Sequence, residues 1–141
     1  MICYVIELGY MGPLHAGAPG RAILSGLPDA DLVATIDRLN LERLTDGTIT
    51  EPKDLLRAVR EDRKRGYSFT IGERMRGGSA VAAPFFDSLG RCRGSIVLSR
   101  PAERHTEQDS SQIAQAIVEA ALEMTVRLGG TLGPGKVVER G

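Results

Sequence analysis

The chain has 141 residues, which suits one domain with a modest core and is short for two. Its 18 Lys and Arg balance 18 Asp and Glu, so the net charge is zero and the basic footprint of a nucleic-acid binder is excluded from this segment. An apolar fraction of 42% with 26% charged residues excludes a disordered chain, and 4% aromatics without Trp offer no stacking platform for bases or sugars.

Residues 2–8 (ICYVIEL) are β-branched and aromatic and stop at Gly9, a strand pattern. With Glu7 inside its short apolar run and no basic lead-in, the segment is not expected to be a signal peptide or a membrane span. A strand starting at the first residues leads to the expectation that sheet strands preceding it are lacking. In the stretch GPLHAGAPGRAIL, Pro13 breaks the chain and Pro19 pre-sets the first turn of a helix through Ala22, Ile23 and Leu24, stopped by Gly26.

Pro28 and Asp29 open a second helix, whose Leu32, Val33, Ile36 and Leu39 predict one buried face. Residues 40–49 form a polar connector with the turn signal Asp46-Gly47. Thr50 is expected to cap a third helix, carrying Glu51 and Pro52 in its first turn, Leu55, Leu56 and Val59 on one face, and Gly66 at its end. The closing Arg63-Lys64-Arg65 is read as a solvated end that complements the helix dipole, with Glu61 and Asp62 diluting its field, rather than as a phosphate patch.

Residues 67–71 predict a strand and residues 72–78 a loop with Glu73, Arg74 and Arg76. SAVAAPFFDSLGRCRGSIVLS predicts a hairpin about Asp87-Ser88-Leu89-Gly90, ended by Pro101. Thr106 is expected to cap a long last helix with a stripe of Ile113, Ile117, Ala121, Met124 and Leu128, terminated by Gly129-Gly130. Strands joined by a short hairpin are antiparallel, so the class is α+β with helices packed on an antiparallel sheet.

Period-two alternation puts Ala80, Ala82, Pro84 and Phe86 on one face of the first hairpin strand and Ser79, Val81, Ala83 and Phe85 on the other. Ala80, Ala82, Ser95 and Ser99 leave room above the sheet, either for a closely packed helix or for a ligand. The sparse Ala16-Gly17-Ala18-Pro19 entrance has the same two readings: tight packing, or an anion approaching the free N–H groups of a helix N-terminus. Cys3 and Cys92 have neither disulfide nor zinc spacing, and no cofactor or metal is implied.

Catalysis is not expected. No G-x-S-x-G elbow is present, His15 and His105 fit structural roles beside helix starts, and Glu73 has no evident acid–base partner. Arg91 and Arg93 would lower the Cys92 thiol pKa only modestly, if it is exposed.

The segment PLHAGAPGRAIL resembles the "PLHATAxGKAxLA" segment of the effector-binding domain of IclR-type transcriptional regulators. The likeness continues in order through Asp31-Leu32, the TIT before Glu51-Pro52, RKRGYSF, AVAAPFFDSLGR and the terminal helix, over residues 5–129. It implies a GAF or profilin-like fold lacking its N-terminal strands. It divides the chain into an N-terminally truncated effector-binding domain, 1–130, and a flexible tail, 131–141.

The resemblance further implies a regulatory domain that senses a small organic acid, carboxylic or aromatic; a dimer or tetramer is expected, and the unpaired cysteines make a reducing, cytoplasmic setting the default. DNA would be met only through a winged helix absent from this chain. It places the effector against the backbone of Gly17, Ala18 and Pro19. Thr70 stands where an acidic residue is frequent, Ala80 at a polar or thiol position, and Val97 and Ser99 at two polar positions of which Ser99 keeps its polarity. Leu14, Met75, Ala80 and Val97 are the expected apolar lining.

Pro19 lacks an N–H that some relatives would donate. Losing one charge-assisted hydrogen bond costs about 1.5–3 kcal/mol, roughly one to two decades of affinity, which favours a larger, more apolar acid or a pocket without a ligand. The alternative reading is an oligomerisation module that has lost ligand binding and pairs through the edge of the strand at Ile2.

Overall fold

In a computed structural model of the chain, residues 8–104 and 107–131 are described, the side chains of 107 and 108 excepted. The elements run α1 (Ala18–Ser25), α2 (Asp29–Arg38), α3 (Pro52–Arg65), β1 (Ser68–Ile71), β2 (Gly78–Phe86), β3 (Cys92–Pro101), a 3-10 turn (Ala102–Arg104) and α4 (Glu107–Arg127). The strand expected at residues 2–8 falls almost wholly outside the described residues, as do the Thr106 cap and the tail beyond Thr131.

The three strands form an antiparallel meander in the order β1-β2-β3, so the expected α+β class holds. Gly90, at φ 74°, closes the β2–β3 turn, and the Asp87 carboxylate accepts the N–H of Leu89 and Arg91 at 2.9 and 3.0 Å. Those bonds, led by the Arg91 N–H, hold the Asp87 pKa below the usual carboxylate value.

Alternation sorts the helices. Ala82 meets Ala18 and Ala22 of α1, while α4 holds the end of β2 through Thr125, whose Oγ1 accepts the Phe86 N–H at 3.1 Å. A second core, Leu24, Leu32, Ile36, Leu55 and Val59, ties α1, α2 and α3 together. Gly20 lets α1 sit close: a Cβ there would stand 2.4 Å from the Leu14 carbonyl oxygen.

Several expectations shift in detail. Val33 is exposed, because the α2 face turned to the core runs through Leu32 and Ile36 alone, and Leu39 stands past the helix end as its C-cap. Glu51, not Thr50, occupies the N-cap of α3, with Pro52 opening the helix. On α4 the fully buried line is Ala114, Ala121 and Thr125, with Leu128 exposed, since only small residues fit so close to the sheet.

The basic end of α3 is also more than a solvated terminus. Arg63 donates to the carbonyls of Ser25 (3.0 Å) and Leu27 (2.5 Å), fastening α3 to the end of α1. Asp62, expected on the surface, is fully buried.

Candidate functional site

The cross-strand register sets the floor of the site. Thr70 pairs with Ala80 and Ala80 with Ser99, making one row across all three strands; Ser68, Ala82 and Val97 make the next. Small side chains along these rows bring the entrance of α1 down onto the sheet. Ser68 Oγ donates to the Ala18 carbonyl at 2.7 Å, and Ser95 Oγ donates to the Pro19 carbonyl at 3.2 Å.

Ala82 is fully buried against α1, whereas Ala80 is only partly buried against the same cluster and borders a concavity of about 850 Å³ between α1, the sheet and the 72–78 loop. Close helix packing, the first of the two sequence readings, describes the Ala82 row, and the Ala80 row borders free space. Gly17, Pro19, Thr70, Met75, Ala80, Val97 and Ser99 all border this space. Leu14 and Ala18 do not. Leu14 packs against the core shared by the first three helices, and the Ala18 methyl is fully buried against Ala22 and Ala82. Val97 is 40% exposed, so the space opens to solvent along the β3 edge.

The sequence reading left out the polar part of the lining: Tyr10, Ser79, Glu73, Arg74, Arg100 and Arg104. Glu73 belongs to a buried ion cluster. Arg21 Nε and Nη2 hold both oxygens of Asp62 at 2.9 and 2.8 Å, and Nη1 holds Glu73 Oε2 at 2.7 Å. Arg65 adds a 2.6 Å contact to Asp62 from the rim.

Burial raises the pKa of both carboxyls, against the opposing pull of Arg21; the Gly17 N–H also draws Glu73 down. Glu73 Oε1 is buried with no partner in hydrogen-bond geometry. The loop carrying it is clamped from the 40–49 connector, where Thr48 Oγ1 donates to the Glu73 carbonyl at 2.6 Å and Thr45 Oγ1 donates to that of Gly72.

Arg74 borders the cavity and a shallower neighbouring concavity of about 660 Å³, which also touches Tyr10, His15 and Glu42. His15 Nε2 donates to the Glu42 carbonyl at 2.8 Å, the structural bond expected of it. Cys92 corrects its expectation: half-buried beside Gly26, its thiol is pushed up by desolvation and is a poor nucleophile. Among the described residues no group of three or more His, Cys, Asp or Glu could hold a metal, and no helix is long and apolar enough to cross a membrane.

The family model "Bacterial transcriptional regulator IclR C-terminal" matches residues 1–126. The chain belongs to the IclR family. Among its relatives is the HTH-type transcriptional regulator BhcR of Paracoccus denitrificans, 35% identical over 117 residues, which are 83% of this chain and 42% of BhcR. Among solved structures, the Thermotoga maritima IclR is similar with a TM-score of 0.87 at 31% identity, over 92% of this chain and 52% of that one.

A double mutant of the PobR inducer-binding domain from Acinetobacter, solved as a 3-hydroxybenzoic acid complex, is similar at a TM-score of 0.77 and 25% identity. That match covers 89% of this chain and 72% of PobR's. The chain spans about half the length, or less, of the curated IclR relatives it matches. It is an IclR C-terminal regulatory domain, and its relatives are transcriptional regulators rather than enzymes.

Proposed function

We propose that the concavity between α1 and the sheet is an effector site for a small organic acid with an apolar body, and that this domain is the sensing part of an IclR regulator acting in the cytoplasm. The supporting observation is the lining itself. It combines the sparse α1 entrance at Gly17 and Pro19 and the arginines Arg74, Arg100 and Arg104 with the apolar Met75, Ala80, Val97 and Pro101. A volume near 850 Å³ lies within the range of about 300–1,000 Å³ usual for organic ligand sites and far exceeds the needs of a two- or three-carbon acid. The aromatic acid held by the PobR inducer-binding domain fits the same size class.

The experiment is a calorimetric titration of the chain with a panel of acids. Aromatic and alicyclic carboxylates should bind saturably at one site, and Ala80→Leu, which fills the floor, should abolish the binding. Tight binding of glyoxylate or pyruvate, with none of the larger acids, would refute the size argument.

A second reading, a ligand-blind oligomerisation module, draws on the exposure of Leu8 and Met11, 104% and 90%. Sedimentation separates the two. A concentration-dependent oligomer broken by Met11→Glu, with no response to acids, would favour the module. Binding of DNA would be the work of a winged helix elsewhere in a longer protein.

A further inference from the structure

Three arginines border the cavity, Arg74, Arg100 and Arg104, and their surroundings differ. Arg21, outside the lining, is spent on Asp62 and Glu73, and Arg100 has an interaction of its own. Arg104 is exposed on the 3-10 turn after β3. Arg74 is half-buried, and its stem lies along the mouth of α1, with Cβ and Cδ 3.5 and 3.6 Å from where a Gly17 side chain would begin. Gly17, at φ 94°, provides both the left-handed backbone and the space this stem occupies.

The Arg74 guanidinium lies 5.1 Å from the centroid of the Tyr10 ring. Among the described residues it has no carboxylate partner and no hydrogen bond. An aromatic face steadies a guanidinium without neutralising it. The guanidinium end reaches past the helix mouth toward Gly12, its Cζ and Nη2 3.7 and 3.6 Å from where a Gly12 side chain would begin, and a guanidinium with no carboxylate of its own can take an anion, which a helix N-terminus also favours. The helix alone offers an anion less than usual, because Pro19 in its first turn has no N–H and the Gly17 N–H is turned to Glu73.

We propose that Arg74 recognises the acid group of the effector, supplying the donors that Pro19 removes from the α1 entrance. The inference rests on the reading of the cavity as an effector site. The carboxylate then lies between Gly17, Pro19 and Arg74, where a guanidinium can pair with both its oxygens. The apolar body extends over Ala80 toward Met75 and Val97. Charge recognition in this domain is carried by a side chain of the 72–78 loop in place of a backbone amide, so the loop, not the helix, sets the preference for acids.

The test compares acids with their uncharged amides on the 141-residue chain: benzoate with benzamide, and cyclohexanecarboxylate with its carboxamide, by calorimetry. The wild-type chain should prefer each acid. Arg74→Gln should weaken the acids by about 10- to 100-fold, the worth of one charge-assisted hydrogen bond, and change the amides by less than about threefold. Arg74→Lys, which keeps the charge and loses the fork, should fall between them.

Unchanged acid binding by Arg74→Gln would overturn the assignment of Arg74 while the site reading survives. Equal loss of acid and amide would also overturn it, by showing a structural role. If the wild-type chain binds no member of either pair, both the assignment and the site reading fail. Matching far-UV circular dichroism and melting curves confirm that each variant is folded.

Discussion

Replacing Arg21 with Met keeps the bulk of its stem and removes the charge that two buried carboxylates share. The two partners fare differently. Asp62 keeps Arg65 at 2.6 Å, whereas Glu73 loses its one ion pair among the described residues and keeps no charged partner, its Oε1 already without a hydrogen bond. Stranding a buried charge typically costs about 3–5 kcal/mol, but the carboxyl can escape by taking up a proton. That escape sets a ceiling. For a glutamate whose ordinary pKa is 4.5, protonation costs about 1.36 kcal/mol per pH unit above that value, so about 3.4 kcal/mol at pH 7 and about 0.7 at pH 5.

The sign follows from linkage. Burial already raises the Glu73 pKa, and losing Arg21 raises it further. Its contribution is fullest below the ordinary value and is lost as pH rises through the folded one. Urea unfolding followed by circular dichroism should therefore show Arg21→Met destabilised by about 3 kcal/mol at pH 7 and by about half that or less at pH 5. At roughly 3 °C per kcal/mol, the melting point at pH 7 should fall by about 10 °C. Adding Glu73→Met, which removes the stranded charge, should restore most of the loss. An equal loss at both pH values, or a loss below about 1 kcal/mol at pH 7, would refute the account of this cluster.

Other substitutions test the packing around the cavity. Gly20→Ala should destabilise by about 1–3 kcal/mol, against the usual preference of helices for Ala, because the new Cβ meets the Leu14 backbone; a chemical melt reads it. Ala82→Leu, on the row where α1 is in contact, should cost a similar amount, while Ala80→Leu, one row away, should leave the melting point within a few degrees. Similar losses from both would contradict the boundary between contact and cavity. Ser68→Ala should cost about 0.5–1.5 kcal/mol by leaving the Ala18 carbonyl without its 2.7 Å donor, again measured by urea unfolding.

Much of this fold is local enough to read from the chain. Pro and Gly mark the limits of α1 and α3, Asp87 and Gly90 make the hairpin turn, and alternation along β2 assigns Ala80 and Ala82 to the face that meets α1. The apolar and small-residue part of the site followed, because register alone brings Thr70, Ala80 and Ser99 into line. The charged part did not. Arg21, Asp62 and Glu73 lie 41 and 52 residues apart along the chain, and no local pattern announces such a meeting. Asp62 stands in a polar helix end that periodicity assigns to solvent, and it is buried because Arg21 reaches it from α1. Leu14 was misplaced for the converse reason: an apolar residue near a candidate site can serve the core just as well.

The most direct measurement is a crystal structure of the chain with the tightest-binding acid of the panel. The account predicts its carboxylate between the α1 entrance and Arg74, with its apolar body over Ala80 and beside Val97. An acid bound elsewhere on the surface, or a space beneath Pro19 filled by the protein's own side chains, would contradict it.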